Sequence, residues 1–365
     1  MKAVKTLLMT AAVVAVTGLY GCGGGDETTI NYTSNTTTDP GTGGGSGNVG
    51  GVSTCPAWIT QARSQIDGTN VCQLPDRILV SRVLTADTIW YMAGTVKVGN
   101  GDADMSTTPG ILADTTPVVN ATLTIEPGTS VVGENDSFAN LVITRGSKID
   151  AVGTADLPIV FSSADSDFVG SGEWGGIILH GYGVHNNCIA APGPCNVESE
   201  GNSGKAGGYD NTDNSGRLRY VVVTEGGFEF GPGNEINGIS FVAVGSGTEM
   251  SFIQVNANAD DGLEFYGGAI NGKNLVLTGN RDDSVDWDEG WQGNLQFVLV
   301  VQEDAETTEG NGIEADTEGS LALGIYSTPT IANATFVGGG QQDTLWVFKA
   351  SSGGFLLNTV GTFAN

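Results

Sequence analysis

The chain has 365 residues, and 14 Lys and Arg stand against 41 Asp and Glu, which gives a formal net charge of −27. This charge repels duplex DNA and so excludes nucleic acid as a partner, whereas cations and neutral glycans are compatible with it. The simplest interpretation of the acid excess is a secreted surface kept soluble. The 57 glycines exceed the average share by more than twofold, and they indicate a turn after nearly every short element.

Residues 1–21 have the pattern of a bacterial export signal. Two lysines precede an apolar core at residues 7–16, which is too short to cross a membrane. The run LYGC at residues 19–22 resembles the lipobox of bacterial lipoproteins, in which the cysteine becomes the acylated N-terminus. Gly23 replaces the Asp that keeps many lipoproteins in the inner membrane. The resemblance implies a membrane anchor at Cys22 in the outer membrane of a Gram-negative bacterium, facing the periplasm or, as we favour, the cell surface.

Two segments separate this anchor from the body of the protein. Residues 22–54 are almost entirely Gly, Thr, Ser and Asn, which bury too little apolar surface to fold and predict a flexible tether. Residues 55–82 contain scattered apolar residues and a proline. They predict a small disulfide-pinned cap, because the first coil of a solenoid needs a cover for its core and its open strand edge.

Four cysteines follow the anchor: Cys55, Cys72, Cys188 and Cys195. Three connectivities are possible, and the pairs Cys55–Cys72 and Cys188–Cys195 close the shortest loops. An oxidising compartment would keep both bridges closed. Free thiols or a metal site are the alternatives, but the cysteine spacing does not resemble a zinc module.

Residues 83–365 read as a succession of short strands. Apolar and polar residues alternate at 121–125, 141–144, 147–154 and 158–161, with Gly or Pro at the corners. A turn residue, an apolar residue, a polar or acidic residue and an aromatic or small residue then recur. These units lie at residues 216–220, 238–241, 262–265, 284–287 and 312–315, in steps of 22, 24, 22 and 28 residues. A repeat of about 22 residues without a helical stretch predicts one coil of a parallel β-helix.

The wording of these runs is also specific. ATLTIEPGTSVVG (121–133), GEWGGIILHG (172–181), DDGLEFYGG (260–268) and DDSVDWDEGWQG (282–293) are characteristic. They resemble a family of bacterial exported or lipid-anchored surface proteins of pectate-lyase-like architecture, whose members mostly have no assigned activity. The resemblance covers residues 83–319 and implies a right-handed single-stranded parallel β-helix. The strand-like run at residues 355–357 predicts either the final coil or a chain that continues.

Stacking the repeats sorts their side chains into ladders. Two apolar ladders are predicted to face the core: Ile239, Leu263, Val285 and Ile313, and Phe241, Phe265, Trp287 and Ala315. A polar ladder is predicted to point outward: Ser240, Glu264, Asp286 and Glu314. Because neighbouring strands lie about 4.8 Å apart, such carboxylates repel one another unless a proton, a cation or water separates them.

Carboxylates without nearby His or Cys suit Ca²⁺, a hard cation that takes oxygen ligands. The candidate ligands are Asp260, Asp261, Asp282, Asp283, Asp286 and Glu264. The alternative is that these aspartates only form turns by hydrogen bonding the backbone, as Asn does.

An enzymatic role is the second functional hypothesis. A polysaccharide lyase or hydrolase of this architecture could use Asp260, Asp261, Asp282 and Asp283, with Arg281 as a base. No catalytic residue is assigned, because the sequence has no Gly-x-Ser-x-Gly elbow, phosphate loop or zincin motif. His180 and His185 are interpreted as surface histidines.

The long polar segment 183–216 is either a wall of a ligand groove or, more simply, a surface insertion.

The sequence therefore favours a non-catalytic cell-surface lipoprotein whose elongated β-helix binds extracellular material, either a glycan or a surface protein. Ca²⁺ is expected to stabilise its acidic turns. A carbohydrate-active enzyme is one alternative. An adhesin or component of a surface assembly is the other, in which stacking of the solenoid ends matters more than a groove.

The variant Cys22→Ser tests the anchor. Without the thiol no lipid can be attached, so the protein should leave the membrane fraction and appear in the soluble fraction. Cell fractionation followed by immunoblotting measures this change. A variant that stays with the membrane would show that the lipobox interpretation is wrong.

Overall fold

The computed structural model describes residues 52–165, 168–188, 193–231, 234–302, 310–339 and 344–363. The predicted export signal, Cys22 and nearly all of the predicted tether lie outside the described residues. Within the described ranges, no helix combines the length and the apolar character needed to cross a membrane.

Regular structure in the described residues is β-strand, apart from one 3₁₀ turn at Leu321–Leu323. In chain order the strands are β1 (Gln61–Ala62), β2 (Asn70–Gln73), β3 (Arg77–Ile78), β4 (Arg82–Leu84), β5 (Thr88–Met92), β6 (Val96–Val98), β7 (Thr122–Ile125), β8 (Ser130–Gly133), β9 (Leu141–Ile143), β10 (Lys148–Val152), β11 (Ile159–Ser163), β12 (Ile177–His180), β13 (Val197–Ser199), β14 (Gly204–Ala206), β15 (Gly216–Thr224), β16 (Glu229–Gly231), β17 (Asn234–Glu235), β18 (Ile239–Val242), β19 (Glu249–Asn256), β20 (Leu263–Tyr266), β21 (Asn271–Thr278), β22 (Val285–Asp288), β23 (Asn294–Val301), β24 (Asn311–Ala315), β25 (Thr330–Gly338), β26 (Thr344–Phe348) and β27 (Phe355–Phe363).

Two sheets build the body of the protein. The larger sheet follows the order β1-β2-β5-β8-β11-β15-β19-β21-β23-β25-β27, and the smaller one β3-β6-β9-β12-β18-β20-β22-β24-β26. Strands of the smaller sheet pair in parallel throughout, and the larger sheet is parallel except for the β1–β2 pair. The chain visits the two sheets alternately, so each round forms one coil. The predicted fold, a right-handed parallel β-helix, is confirmed.

From β15 onward, each coil contributes one long strand to the larger sheet, where the earlier coils contribute two short ones. β10 pairs with the first half of β15 and β11 with its second half. Between the halves the backbone bends at Tyr220, which has a φ of 50°. The same bend recurs in every following strand of this sheet, so the coils present a sharp, stacked corner.

The core consists of the predicted apolar ladders. Ile239, Leu263, Val285 and Ile313 stand in register on consecutive strands and are fully buried. The aromatic ladder is also interior: the rings of Phe241 and Phe265 stack at 5.1 Å, and Trp291 stacks on Phe265 at 4.1 Å. These aromatic side chains therefore serve packing and do not line a ligand site.

One repeat unit was misassigned by the sequence pattern. The unit at residues 216–220 lies in β15 of the larger sheet, whereas the strand before Ile239 in the smaller sheet is β12, with Ile177 opposite Ile239. Strands of both sheets alternate inward and outward residues with the same period of two. The pattern therefore predicts a strand without indicating which sheet contains it.

The polar segment, hereafter the excursion, is described at residues 183–188 and 193–215, and these parts fold back onto the smaller sheet. Ala206 of this segment packs on Val142, Ile178 and Val242, which lie on the outer face of that sheet. The segment covers part of the sheet, and its residues 193–195 and 207–210 also line a cavity of about 800 Å³ together with residues 105–110.

A buried arginine fastens the excursion to the body. The Arg145 guanidinium donates to the carbonyl oxygens of Gly101, Ala103 and Cys195 at 2.7–2.9 Å. Burial lowers the pKa of Arg145 to about 10. A buried charge is tolerated only where hydrogen bonds satisfy it, and here backbone carbonyls from two loops do so.

Both predicted disulfides are present. Cys55 is bonded to Cys72 and Cys188 to Cys195. Cys72 belongs to β2, which already pairs in parallel with β5, and β3 likewise pairs with β6. Coil pairing thus begins within the segment 55–82, and the first bridge ties the N-terminal end directly to the first rung of the larger sheet.

Leu263→Ala should lower the free energy of unfolding by about 2–5 kcal/mol, because it removes a fully buried side chain from a close-packed ladder. Chemical denaturation measures the change. The control Gln296→Ala, an exposed position on β23, should stay within about 0.5 kcal/mol. A loss as small for Leu263→Ala would contradict its inward orientation.

Candidate functional site

The acidic motifs lie in the turns that enter the smaller sheet. Asp261 and Asp283 are equivalent residues of neighbouring coils, each two residues before the first inward residue of its strand. The Asp283 N–H donates to Asp261 Oδ1 at 2.8 Å, and the Asn311 N–H donates to Asp283 Oδ1 at 2.6 Å. Asn237 and Asn311 occupy the same position in the coils before and after. Each of these two aspartates therefore accepts a hydrogen bond from the backbone of the next coil.

The predicted outward ladder is in register from strand to strand. Its first two members, Ser240 and Glu264, are shielded from solvent. Glu264 lies between Ser240 and Asp286 on the outer face, and its residue is only 7% exposed. The Asn237 Nδ2 and the Tyr266 hydroxyl both donate to Glu264 Oε2. Glu264 and Ser240 lie on the outward ladder, where side chains packed over this part of the sheet bury them.

One of the covering groups is a carboxylate that the sequence did not single out. Asn237 Nδ2 also donates to Glu200 Oε2 at 3.1 Å, which brings the excursion to the acidic ladder. Burial raises the pKa of Glu200 to about 7. Glu200 is separated from Glu264 by more than two coils of sequence, so no local pattern could have indicated their meeting.

The predicted ligand residues come together in two groups that share Asp261. One carboxylate oxygen from each of Asp260, Asp261 and Asp282 lies within 4.8 Å of the others. The same holds for Asp261, Glu264 and Asp286. Asp283 belongs to neither group, and its Oδ1 accepts the Asn311 N–H.

The electrostatics of these groups are dominated by burial. Burial, followed by the charge of Glu200, raises the pKa of Asp260 to about 8. Burial together with Glu314 raises the pKa of Asp283 to about 9. The pKa values of Asp261, Glu264 and Asp286 lie well above the ordinary range, first from burial and then from neighbouring carboxylates. Several carboxylates this close cannot all ionise without a proton or a cation between them.

A lysine side chain, that of Lys349, lies beside Glu314, the last carboxylate of the outward ladder. Its Nζ pairs with Glu314 and lies 3.8 Å from Asp316 Oδ2. Burial alone would raise the pKa of Glu314, but hydrogen bonds with Asp283 and Lys349 lower it. Arg281, the predicted base, is exposed, and none of the ion pairs among the described residues includes it.

A further acidic group was not predicted. One carboxylate oxygen each of Asp165, Glu173 and Glu225 lies within 4.8 Å of the others. Glu225 is fully buried, and its Oε2 accepts a hydrogen bond from the Ser163 N–H at 3.2 Å. The three residues come from three separate segments, so only the stacking of coils unites them.

The interpretation of both histidines as surface residues is wrong. His180 is fully buried, with its Nε2 at 3.2 Å from Ser203 Oγ, and burial lowers its pKa to about 3. His185 is also buried; its Nε2 lies 2.6 Å from Glu289 Oε2, and its Nδ1 accepts the Asn187 N–H. Each ring is held by the excursion and its neighbours, so neither faces an open site.

Comparison with known families accords with this geometry. The model of the pectate-lyase like beta helix domain matches residues 110–359. The chain belongs to this family. The match includes every acidic residue of the groups described above. No curated protein and no solved structure matches the chain. Membership of the pectate-lyase-like β-helix family places the protein broadly among surface and carbohydrate-related proteins.

The buried carboxyls predict a pH dependence. A carboxyl whose pKa is raised by folding holds its proton more tightly in the folded state than in the unfolded state. Its stabilising contribution is complete below the ordinary pKa of 3.8 and is lost as the pH rises through the folded value, about 9 for Asp283. With EDTA present, the thermal midpoint should therefore fall between pH 5 and pH 9.

Asp283→Asn is the matched control, because Asn311 occupies the same position one coil away and the new amide oxygen can still accept the Asn311 N–H. The variant should flatten the decline of the midpoint over this range. A wild-type midpoint that rises or stays constant from pH 5 to pH 9 would contradict the prediction.

Proposed function

We propose that this pectate-lyase-like β-helix is a non-catalytic lipoprotein, anchored through Cys22 in the outer membrane, whose elongated body binds extracellular glycan or protein and whose acidic turns hold Ca²⁺. The observation that carries the proposal is the pair of carboxylate groups sharing Asp261. The two groups bring five carboxylates together where the chain enters the smaller sheet: Asp260, Asp261 and Asp282 lie in the turns, and Glu264 and Asp286 lie in β20 and β22.

The donor set fits a hard divalent cation. Ca²⁺ takes six to eight oxygen ligands from carboxylates, amide carbonyls and water. Besides the carboxylates, Asn237 offers an amide oxygen: it is fully buried and its Oδ1 has no hydrogen-bond partner among the described residues, although its Nδ2 donates to Glu264. A bound cation would take the place of the protons that these carboxyls otherwise need.

The same geometry argues against catalysis as the main role. Asp261 and Asp283 are engaged in bonds to the backbone, and Glu264 lies beneath neighbouring side chains. A polymer therefore has no open path to these three carboxyls, and Arg281 points to solvent instead of joining them.

A carbohydrate-active enzyme is the second candidate, supported by one observation. Asp260 is partly exposed and its pKa is raised to about 8, as a general acid requires, and it lies beside Asp282. Release of reducing or unsaturated ends from uronate polymers, lost in Asp260→Asn, would favour this candidate.

Thermal unfolding with EDTA and then with millimolar Ca²⁺ tests the proposal. A cation that binds only the folded state should stabilise it by about 2.7 kcal/mol at one hundred times the dissociation constant. Asp261→Asn is the sharpest control, because it changes the residue common to both groups while its amide oxygen can still accept the Asp283 N–H. An unchanged wild-type midpoint, or an equal rise in the variant, would overturn Ca²⁺ binding at this site.

A further inference from the structure

A second ladder lies on the outer face of the larger sheet, at the bend of each long strand. Its backbone is left-handed throughout, with φ between 49° and 59°. The six bend residues are Tyr220, Phe252, Asn274, Phe297, Asn333 and Asn358. Strand register places them directly above one another on successive coils.

The residues on this ladder differ in how much strain the left-handed backbone imposes on them. Asparagine tolerates the left-handed region, whereas a bulky side chain at positive φ is an outlier. Three rungs carry asparagine, which shows what the bend itself needs. The aromatic residues at the other three rungs add local strain of the kind that folded proteins retain at binding sites.

The aromatic side chains are arranged as a platform. The rings of Tyr220 and Phe252 stack at 4.4 Å, and the Arg219 guanidinium lies 5.4 Å and 5.7 Å from their centres. Phe252 and Phe297 are 36% and 51% exposed. They stand two coils apart, about 9.6 Å along the solenoid, with Asn274 between them. That gap accommodates one flat ring, with the amide of Asn274 at its base.

A groove of about 750 Å³ runs along this platform. The loop at residues 154–158 forms part of its wall, and Gln254, Val276 and Leu299 lie along its floor. Asp156 is the one charged residue among those that line the groove, and the Arg219 guanidinium beside Tyr220 and Phe252 adds a charge of the opposite sign. On a protein with a net charge of −27, an apolar and amide-rich surface of this length matches an uncharged ligand.

We propose that this groove binds a neutral polysaccharide chain. Sugar rings would lie against Phe252 and Phe297, and their hydroxyl groups would hydrogen-bond the side-chain amides of Asn274 and Gln254. Successive coils repeat at about 4.8 Å, a distance comparable to the length of one sugar residue. The site deepens the proposed function, on which it rests, by naming the face and the class of glycan.

A peptide fits this surface less well. The floor strands β19, β21 and β23 are each paired on both sides. They therefore offer no free edge to which a further strand could add. Recognition here has to come from side chains, and these are aromatic rings and amides.

The double variant Phe252→Asn/Phe297→Asn tests the site. Asparagine already serves at the equivalent bends, so relief of strain at positive φ should offset the lost Tyr220–Phe252 stacking and the variant should stay folded, which thermal unfolding measures. Affinity electrophoresis of the full chain in gels containing laminarin, galactomannan or xyloglucan measures binding, with alginate as an anionic comparison. EDTA is present throughout, so the result is independent of Ca²⁺ binding at the acidic turns.

At least one neutral polymer should retard the wild type, and the double variant should bind it about tenfold more weakly. The control Phe138→Asn, which removes an aromatic side chain of similar exposure (47%) outside the groove, should bind normally. Failure of all three neutral polymers, equal retardation of the double variant, or retardation by alginate alone would overturn the proposal.

Discussion

The structure depends on parallel hydrogen bonding between coils, which places each residue on top of its equivalent one turn earlier. Because of this constraint, a side chain at one position contacts the side chains at the same position of the coils on either side. Leu263 meets Ile239 and Val285, and the result is a continuous core. Glu264 likewise meets Asp286, and the result is repulsion. Stacking therefore converts a short motif into either a cohesive ladder or a costly one, depending on the chemistry of the side chain.

The acidic ladder persists because three different devices reduce its cost. Asp261 and Asp283 each accept a hydrogen bond from a backbone N–H of the next coil. Glu314 faces Lys349. Glu264 lies under Asn237 and Tyr266, which both donate hydrogen bonds to it, and burial holds its pKa well above the ordinary range. The first two devices are structural, whereas the third leaves a buried cluster of oxygens that a divalent cation could neutralise. The acidic turns and the aromatic corner are both products of the same stacking of coils: the first bonds neighbouring coils, and the second is where we propose that a ligand binds.

Several features of the fold and of the candidate site could be predicted because they are local. The alternation around Leu263 identifies its inward direction, and the short loop between Cys188 and Cys195 favours their pairing. The Asp-Asp motifs mark turns before strands. By contrast, the burial of His180, the arrival of Glu200 at Glu264 and the role of Arg145 depend on how the excursion folds back. These contacts join segments that lie far apart in the sequence, so a local repeat pattern cannot predict them.

The sequence by itself determined that the chain forms short strands in repeated coils, which residues face the core, and that acidic residues collect at the turns. These follow from a period of two and from turn chemistry, both of which act within a few residues. Only the tertiary structure decided which sheet each strand joins, which carboxylates meet, and that Tyr220, Phe252 and Phe297 form one exposed corner. Those outcomes require the register between coils, and register is set by the lengths of the intervening turns and by packing across the whole solenoid.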